Sequence, residues 1–345
     1  MKPQNDGENV VDELAPFAYD LPQEKIAQSP IEPRSSAKLL DATGGQISDR
    51  HVIDIADLLK EGDLLVVNNT KVLPARVKLY KASGGGVELL FLEEEEAGIW
   101  KTLARPSKGL AKGTELMSSN GELAVRVIDR IESHLDAPVR VIVEVIDPSV
   151  IESQGSVPLP PYIKATLSDP SRYQTVYANR PSSAAAPTAG LHFDELVLSA
   201  LSKRGIEIAQ VELSVGLDTF LPIKTNKIED HQIHTEHYEV GRETWERISA
   251  AKRVVAVGTT VVRTLETVAK TGQLEGRSSL FIHRPYEYKV VDLLMTNFHI
   301  PRSSLLLLVD AFLSEGRWRE IYEHGLANDY RFLSFGDAML LERGM

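Results

Sequence analysis

The fold is set by the stretch Val254-Val255-Ala256-Val257-Gly258-Thr259-Thr260-Val261-Val262-Arg263-Thr264-Leu265-Glu266. Four apolar residues typical of a buried strand run into a Gly-Thr-Thr turn, and a helix is predicted over 261–270. In open parallel sheets, ligands bind where strands end and such turns lie. The turn matches neither the Walker pattern nor GxGxxG, so a nucleoside triphosphatase and a dinucleotide dehydrogenase are not indicated. Its residues fit a ligand site, and they equally fit a plain helix cap.

On both sides of this stretch, helices and strands alternate. Helix 194–204 precedes strand 206–213, and helix 243–251 precedes strand 254–257, which is typical of a layered α/β domain. Between 72 and 156, short β-rich runs are separated by Gly, Ser and Asn turns, a pattern typical of a small antiparallel barrel. We therefore predict a main α/β domain over 17–71 and 157–345, interrupted by a β-barrel domain over 72–156, and a disordered tail over 1–16.

The composition is that of an ordinary globular protein. Of 345 residues, 43% are hydrophobic and 25% are charged. The absence of cysteine excludes disulfides, thiolate metal sites and cysteine nucleophiles, and it fits a cytoplasmic protein. No apolar run approaches the length needed to cross a bilayer, so no membrane association is expected.

The net charge of −11 argues against nucleic-acid binding, but two segments are locally basic. Four acidic residues, Glu93–Glu96, lie between them at a predicted hairpin tip. If the two basic strands are neighbours, one face carries eight bases and could bind RNA phosphates, the alternative being a solvated strand surface. The bases are Lys71, Arg76, Lys78 and Lys81 in the first segment, and Lys101, Arg105, Lys108 and Lys112 in the second.

A second candidate site is the loop Ala186-Pro187-Thr188-Ala189-Gly190-Leu191-His192-Phe193. Its proline, glycine and small side chains fix a tight backbone path that a ligand can approach closely. His192 follows beside a helix entry, where electron-rich groups are favoured. In the alternative interpretation the loop only connects two elements, and a backbone carbonyl satisfies His192.

A third candidate is Asp230-His231-Gln232-Ile233-His234-Thr235-Glu236-His237. Three histidines with a glutamate suggest zinc, but HExxH is absent and the spacing spreads the rings apart. A polar site in which one histidine acts as acid or base fits better. A solvated loop remains an alternative.

Further polar groups follow strands or precede helices. Asn68-Asn69-Thr70 follows the apolar run 64–67, and Thr296-Asn297-Phe298-His299 precedes a helix predicted over 302–314. The aromatic segment 330–339 is expected to dock into the core.

Taken together, these motifs resemble the S-adenosylmethionine:tRNA ribosyltransferase-isomerases of queuosine biosynthesis. The resemblance runs in order from about residue 17 to residue 340. The matching segments are Tyr19-Asp20-Leu21-Pro22, Ile26-Ala27-Gln28, Arg34-Ser35-Ser36, residues 62–76, Pro158-Leu159-Pro160-Pro161-Tyr162-Ile163, residues 173–177, residues 185–193, Asp230-His231, His234, Glu236, Ala256-Val257-Gly258-Thr259-Thr260, Lys289-Val290-Val291-Asp292, residues 296–299, Tyr330-Arg331-Phe332 and Gly336-Asp337-Ala338-Met339.

This resemblance implies an α/β domain interrupted by a β-barrel, and a specific reaction. The ribosyl part of S-adenosylmethionine is transferred to 7-aminomethyl-7-deazaguanine at the wobble position of tRNA and isomerised, which gives epoxyqueuosine, adenine and methionine. S-adenosylmethionine is then a consumed substrate, and no permanently bound cofactor is expected. The partners are S-adenosylmethionine and the anticodon arm of tRNA, and we expect a monomer.

Within that resemblance we assign residues by hypothesis. His192 and His299 would share one pocket as acid and base, assisted by His231, His234 and Glu236, with no metal. Lys71, Lys78, Lys81, Lys101, Arg105, Lys108 and Lys112 would bind tRNA. Substrate contacts are predicted from Asn69, Arg76, Pro187, Thr188, Ala189, Gly190, Phe193, Thr219, Gly258, Thr259, Thr260, Arg263 and Asn297. Of these, Gly258-Thr259-Thr260 and Arg263 would hold the donor, with its methionine carboxylate as one point of contact.

The chain departs from the family pattern at several positions. Ser214 stands where histidine is usual, Asp218 where glycine is usual, and Val261 where serine is commoner; His283-Arg284-Pro285 replaces a Tyr-Pro-Gly turn. We expect Ser214 and Asp218 to line the same pocket. The alternatives left open are a divergent paralogue acting on another adenosyl or nucleoside substrate, a non-catalytic RNA-binding protein, and a zinc hydrolase using His231, His234 and His237.

Overall fold

The computed structural model describes residues 11–131, 139–216, 219 and 221–345. The strands are β1 (Lys38–Ala42), β2 (Ser48–His51), β3 (Asp63–Asn68), β4 (Thr70–Val72), β5 (Arg76–Lys81), β6 (Gly86–Glu96), β7 (Ile99–Arg105), β8 (Glu115–Met117), β9 (Leu123–Ile131), β10 (Arg140–Val145), β11 (Gly155–Ser156), β12 (Arg180–Ser183), β13 (Glu207–Leu213), β14 (Glu236–Glu239), β15 (Arg253–Val257), β16 (Glu275–Ser278), β17 (Leu293–Asn297) and β18 (Ala338–Glu342). The α-helices are α1 (Ile55–Leu58), α2 (Ser149–Gln154), α3 (Glu195–Lys203), α4 (Arg242–Ala250), α5 (Thr259–Thr271), α6 (Ser304–Phe312) and α7 (Arg317–Ala327).

A nine-stranded mixed sheet forms the centre of the main domain. Its order is β16-β14-β13-β3-β15-β17-β18-β1-β2. The four strands β13, β3, β15 and β17 are mutually parallel, and β18 runs antiparallel to β17. The carboxyl ends of these four parallel strands therefore lie at one edge of the sheet.

Both faces of this sheet are covered, which explains why its central strands are apolar throughout. In β3, Leu64 and Val66 pack with α5, while Leu65 and Val67 pack with α1 and α3 on the other face. Successive strand side chains point to opposite faces, so two separate cores form from one continuous apolar run. The main domain is thus three-layered.

The inserted domain is a closed antiparallel barrel with its own core. Its strands pair in the order β5-β6-β7-β10-β9-β8, and β8 pairs back to the end of β5, while β11 pairs with the start of β5. Val77, Leu89, Phe91 and Val125 fill its interior. The predicted fold class, an α/β domain interrupted by a β-barrel, is confirmed. We propose 72–156 as the extent of the inserted domain.

The arrangement of the basic strands differs from the expectation. The two basic strands β5 and β7 are not neighbours, because β6 lies between them. Glu88 of β6 pairs in register with both Lys78 and Arg105, so an acid separates the bases within the sheet. Lys101 also forms an ion pair with Glu95, with 2.6 Å between Nζ and Oε1. A single uninterrupted face of eight bases is therefore absent from the described barrel.

The start of the described chain also differs from the expected tail over 1–16. Residues 11–16 fold against the main domain: Leu14 is fully buried with Ile223 and Leu307, and Arg302 donates to Asp12 at 2.6 Å. An apolar anchor and an ion pair together explain the ordering. Residues 1–10 lie outside the described residues.

The helices keep the predicted positions with small shifts at their ends. The predicted helix 261–270 is α5, which begins two residues earlier, at Thr259, directly after Gly258. α6 begins later than expected, because the Ser303 hydroxyl caps it by accepting from Leu306 N. Within the described residues, no helix combines the length and apolarity that a membrane span requires.

Candidate functional site

A cavity lies where the parallel strands end. Val215 follows β13, Gly258 follows β15, and Asn297 closes β17, so three strand ends supply its walls. This is the position at which α/β sheets bind ligands. Its lining consists of Tyr162, Ala186, Pro187, Thr188, Ala189, Val215, Thr219, Gly258, Thr259, Thr260, Thr296, Asn297, Phe298, His299, Ile300, Leu305, Leu333 and Ser334.

The turn after β15 requires a glycine. Gly258 has φ of +97°, a conformation that side-chain-bearing residues rarely adopt. A Cβ there would lie 3.5 Å from the Ala189 Cβ, an ordinary van der Waals distance, so the α5 turn stands directly beside the 188–192 turn. The sequence therefore brings two of its candidate loops into one wall.

The 188–192 turn is anchored to the end of β17. It forms a 3₁₀ turn over Thr188–His192, and the Thr188 hydroxyl donates to Asn297 Oδ1 at 2.9 Å. The Asn297 amide donates in turn to Leu333 O at 3.1 Å. Gly190 is also required in this turn, because a Cβ at this position would lie 2.1 Å from the Tyr177 hydroxyl oxygen.

His299 faces the cavity from the segment after β17. Its Nε2 lies 3.1 Å from the Thr296 hydroxyl, and its backbone N–H donates to the Tyr322 hydroxyl at 3.0 Å. The Tyr19 hydroxyl donates to its carbonyl. Burial lowers the pKa of His299 to about 3, so the ring is neutral at any working pH.

Tyr162 and Ser334 complete the opposite wall, and the residues predicted from the sequence did not include them. Their hydroxyls lie 2.8 Å apart, and burial raises the pKa of Tyr162, which keeps its proton in place. Tyr162 belongs to the Pro-rich motif 158–163, so a signal for it was present in a matched motif. Ser334 lies between two matched motifs, in the segment expected only to dock into the core.

The cavity brings together many of the predicted residues. They come from the loop 186–193, the turn after β15, the segment 296–299 and the segment after β13, and they are Pro187, Thr188, Ala189, Thr219, Gly258, Thr259, Thr260, Asn297 and His299.

His192 does not share the cavity with His299, contrary to the sequence hypothesis. Its Nδ1 lies 3.0 Å from Ala189 O and its Nε2 lies 2.9 Å from Gly336 O. Burial lowers its pKa, although the two carbonyls and Asp337 favour the charged form. The ring thus bridges two backbone segments, in agreement with the alternative interpretation of this loop.

Arg263 also lies elsewhere than expected. It is buried, with its guanidinium paired to Glu236, and it donates to Leu280 O at 3.2 Å. Glu236 accepts in addition from Gly216 N at 3.0 Å and from the Thr219 hydroxyl at 3.1 Å. Arg263 therefore contacts protein groups and is not part of the cavity lining; Glu236 fixes the segment after β13.

One of the predicted catalytic histidines lies at a groove between the barrel and the main domain. The groove is lined by charged residues including Lys101, Arg140, Glu236 and Arg277, and it shares Val215 with the cavity. His234 lines this groove, with its Nδ1 3.1 Å from Arg140 Nη2. His231 is half-buried, and its ring packs edge-on against Phe281. Among the described residues, no set of three or more His, Cys, Asp or Glu side chains is placed to hold a metal ion.

The remaining predicted substrate contacts are outside the cavity. Asn69 Nδ2 donates to Gln210 Oε1 at 3.3 Å. Arg76 lies on the barrel, with its Nε 3.8 Å from Glu88 Oε1. Phe193 is fully buried in the core beneath α3, and Gly190 faces Tyr177. These residues were predicted because they are close in sequence to cavity residues. That closeness did not indicate that they contact other protein groups.

The departures from the family pattern have structural settings. Ser214 lines the groove and not the cavity, contrary to expectation, whereas the next residue, Val215, lines both. Val261 is fully buried in the core. Arg284 binds Asp310 at 2.8 Å and thereby ties its turn to α6. Asp218 lies outside the described residues.

Fold and cavity together define an α/β protein with an inserted β-barrel and a cavity at the carboxyl edge of its parallel strands, where enzymes of this architecture commonly bind ligands. Comparison with known proteins gives the family. The profile of the queuosine biosynthesis protein family matches residues 14–341.

Individual relatives agree with this match. The chain is 48% identical to an S-adenosylmethionine:tRNA ribosyltransferase-isomerase of Rubrobacter xylanophilus, over 94% of this chain and 96% of the relative. It is 46% identical to the enzyme of the same name from Moorella thermoacetica, over 94% and 98%. The crystal structure of S-adenosylmethionine tRNA ribosyltransferase from Thermotoga maritima matches with a TM-score of 0.52 and 36% identity, over 94% of this chain and 99% of that one. The chain belongs to the S-adenosylmethionine:tRNA ribosyltransferase-isomerase family.

The placement of His192 predicts a structural effect. Because His192→Gln cannot bridge Ala189 O and Gly336 O in the same way, the free energy of unfolding should fall by about 1–3 kcal/mol. Urea denaturation measures this, and kcat of the folded variant should stay within about threefold of wild type. Unchanged stability with a hundredfold lower kcat would return His192 to the catalytic group.

The lowered pKa of His299 predicts a stability difference that depends on pH. Between the folded pKa of about 3 and the ordinary value of 6.5, the unfolded state binds more protons than the folded state. The stabilisation that His299 provides is therefore fully present above pH 6.5 and is lost as pH falls. The difference in unfolding free energy between wild type and His299→Gln should shrink by about 2 kcal/mol from pH 7 to pH 5. A difference that stays constant would mean that the ring is not held neutral.

Proposed function

We propose that the cavity at the carboxyl edge of the sheet is the reaction site of this chain. The chain is an S-adenosylmethionine:tRNA ribosyltransferase-isomerase that forms epoxyqueuosine in tRNA. The observation that carries the placement is the convergence of Thr188, Gly258–Thr260, Asn297 and His299 on one space.

His299 is the proposed base. The reaction requires removal of an acidic proton next to the sulfonium, and only an unprotonated group can accept it. The neutral ring is held by contacts at Nε2 and at its backbone, which fix its orientation. The low pKa leaves no imidazolium to act as an acid in the unliganded protein, and it also makes the neutral ring a weak base there.

Hydroxyl and amide groups supply the other polar contacts. Tyr162, Ser334 and Thr188 present neutral hydroxyls, and Asn297 presents an amide, on walls that are otherwise mostly apolar. Such groups orient a nucleoside by hydrogen bonds while apolar side chains exclude water. We assign them to binding of S-adenosylmethionine, which is consumed as a substrate.

Glu236 and Arg263 are proposed to act through the segment that follows β13. Their buried ion pair fixes Glu236, whose other oxygen holds Gly216 and Thr219. Thr219 lines the cavity. Both residues are therefore positioning residues in this proposal, and neither touches the reacting atoms.

The groove and the adjacent barrel are proposed to receive the anticodon arm. The groove shares Val215 with the cavity, so a nucleotide bound there lies next to the reaction site. Lys78, Arg105, Lys108 and Lys112 are exposed and available to phosphates. The proposal includes a monomeric enzyme acting in the cytoplasm.

The assignment of His299 is tested by adenine release from S-adenosylmethionine in the presence of tRNA that carries the modified base. His299→Gln should lower kcat at least about a hundredfold, because a general base contributes that much or more. The matched control is His51→Gln, whose side chain is exposed and absent from the cavity lining. Equal turnover of His299→Gln and wild type would remove His299 from the mechanism, and release without tRNA would indicate a nucleosidase.

The barrel surface is tested by tRNA affinity at several salt concentrations. The double variant Lys78→Glu and Lys108→Glu should bind more weakly, and the slope of log affinity against log salt should fall by about 0.7–0.9 for each phosphate that is no longer neutralised. The control is Lys60→Glu with Lys270→Glu, which changes the net charge equally at exposed positions of the main domain. Equal weakening in both double variants would place the RNA elsewhere.

A further inference from the structure

The N-terminal end of α5 opens into the cavity without a side-chain cap. Gly258 occupies the cap position, and no side chain among the described residues accepts from this helix end. The first bond within the helix is Val262 N to Gly258 O at 3.3 Å. The N–H groups of Thr259, Thr260 and Val261 therefore precede the helical bonding, and this end of a 13-residue helix carries partial positive charge.

The Thr260 hydroxyl is a second, independent feature of the same place. Thr260 is only 7% exposed, and its hydroxyl is shielded from solvent and lacks a hydrogen-bond partner within the described part of the chain. Thr260 lines the cavity, and its Oγ1 lies 3.5 Å from the position that a Cβ added at Gly258 would occupy. By contrast, the Thr264 hydroxyl donates back to Thr260 O at 2.9 Å, as threonines inside helices commonly do.

The chemistry of the surrounding lining narrows the ligand. The described cavity residues include no Asp, Glu, Lys or Arg, and His299 is neutral. The end of α5 is thus the feature there that favours negative charge, and a hydroxyl without a partner is available to donate. Arg263, which the sequence suggested for a carboxylate, is committed to Glu236.

We propose that the N-terminal end of α5, with the Thr260 hydroxyl, binds the α-carboxylate of the methionyl part of S-adenosylmethionine. This inference rests on the proposed function of the cavity. It directs the amino-acid end of the donor toward α5. The adenosyl part then lies toward Tyr162, Asn297 and His299, where hydroxyl, amide and imidazole groups can contact it.

The test compares two unreactive ligands by isothermal titration calorimetry. The first is S-adenosylhomocysteine, and the second is 5′-deoxy-5′-(3-aminopropylthio)adenosine, the same molecule without its carboxylate. The wild-type chain should bind the first at least about tenfold more tightly. Thr260→Val should weaken binding of the first about fivefold and leave the second within about twofold, so that the preference shrinks.

Two further variants separate this role from a general effect on folding. Thr260→Ser keeps the hydroxyl and should retain the wild-type preference. Thr264→Val removes a hydroxyl of the same helix that is bonded internally and does not line the cavity, and it should change neither affinity.

The outcomes also distinguish the two levels of the proposal. Equal binding of both ligands by wild type, or equal weakening of both by Thr260→Val, would overturn the carboxylate assignment while the cavity remains an adenosyl site. Binding of neither ligand by the wild-type chain would overturn the proposed function together with this inference.

Discussion

The parallel alignment of β13, β3, β15 and β17, in a sheet buried on both faces, determines how the main domain and its cavity are arranged. Their apolar side chains alternate between two cores, which fixes the register of each strand. With the register fixed, the residues after each strand must meet at one edge. The cavity is a consequence of that alignment, because three of its walls are the segments after β13, β15 and β17.

The cavity and its surroundings differ in charge. Its described lining is neutral, whereas the groove beside it carries acids and bases in close pairs, such as Arg277 with Glu93 between the main domain and the barrel. A neutral, mostly apolar space suits a nucleoside, and a charged groove can contact the polar groups of a nucleotide. The inserted barrel supplies one side of this groove. In our proposal the insertion therefore takes part in binding the tRNA, while the cavity binds the small donor.

Much of the fold follows from the sequence, because apolar period and turn residues are local signals. The run 254–266 predicts its strand, turn and helix, and β-rich runs separated by turns predict the barrel. The family, and with it the reaction, follows from ordered motifs along the chain. The order in which strands pair is harder to predict from the sequence. β6 lies between the two basic strands because of the hairpin connections, and composition does not reveal those connections.

The candidate site was predictable only in part, for a similar reason. Gly258, Asn297 and His299 line the cavity because strand ends converge there. His192 does not, since its ring reaches Gly336, which is 144 residues away in the chain. Arg263 likewise pairs with Glu236 of β14. A side chain's partners across the fold decide whether it is structural or available to a ligand, and local spacing does not contain that information.

The position of the bound donor is the decisive measurement for the proposed reaction site. A crystal structure of the chain with S-adenosylhomocysteine would show where the adenosyl group binds. We expect ligand density in the cavity, in contact with Thr188, Thr260 and His299. Density in the groove between Lys101, Arg140 and Glu236, with the cavity unchanged, would refute the assignment of the cavity as the reaction site.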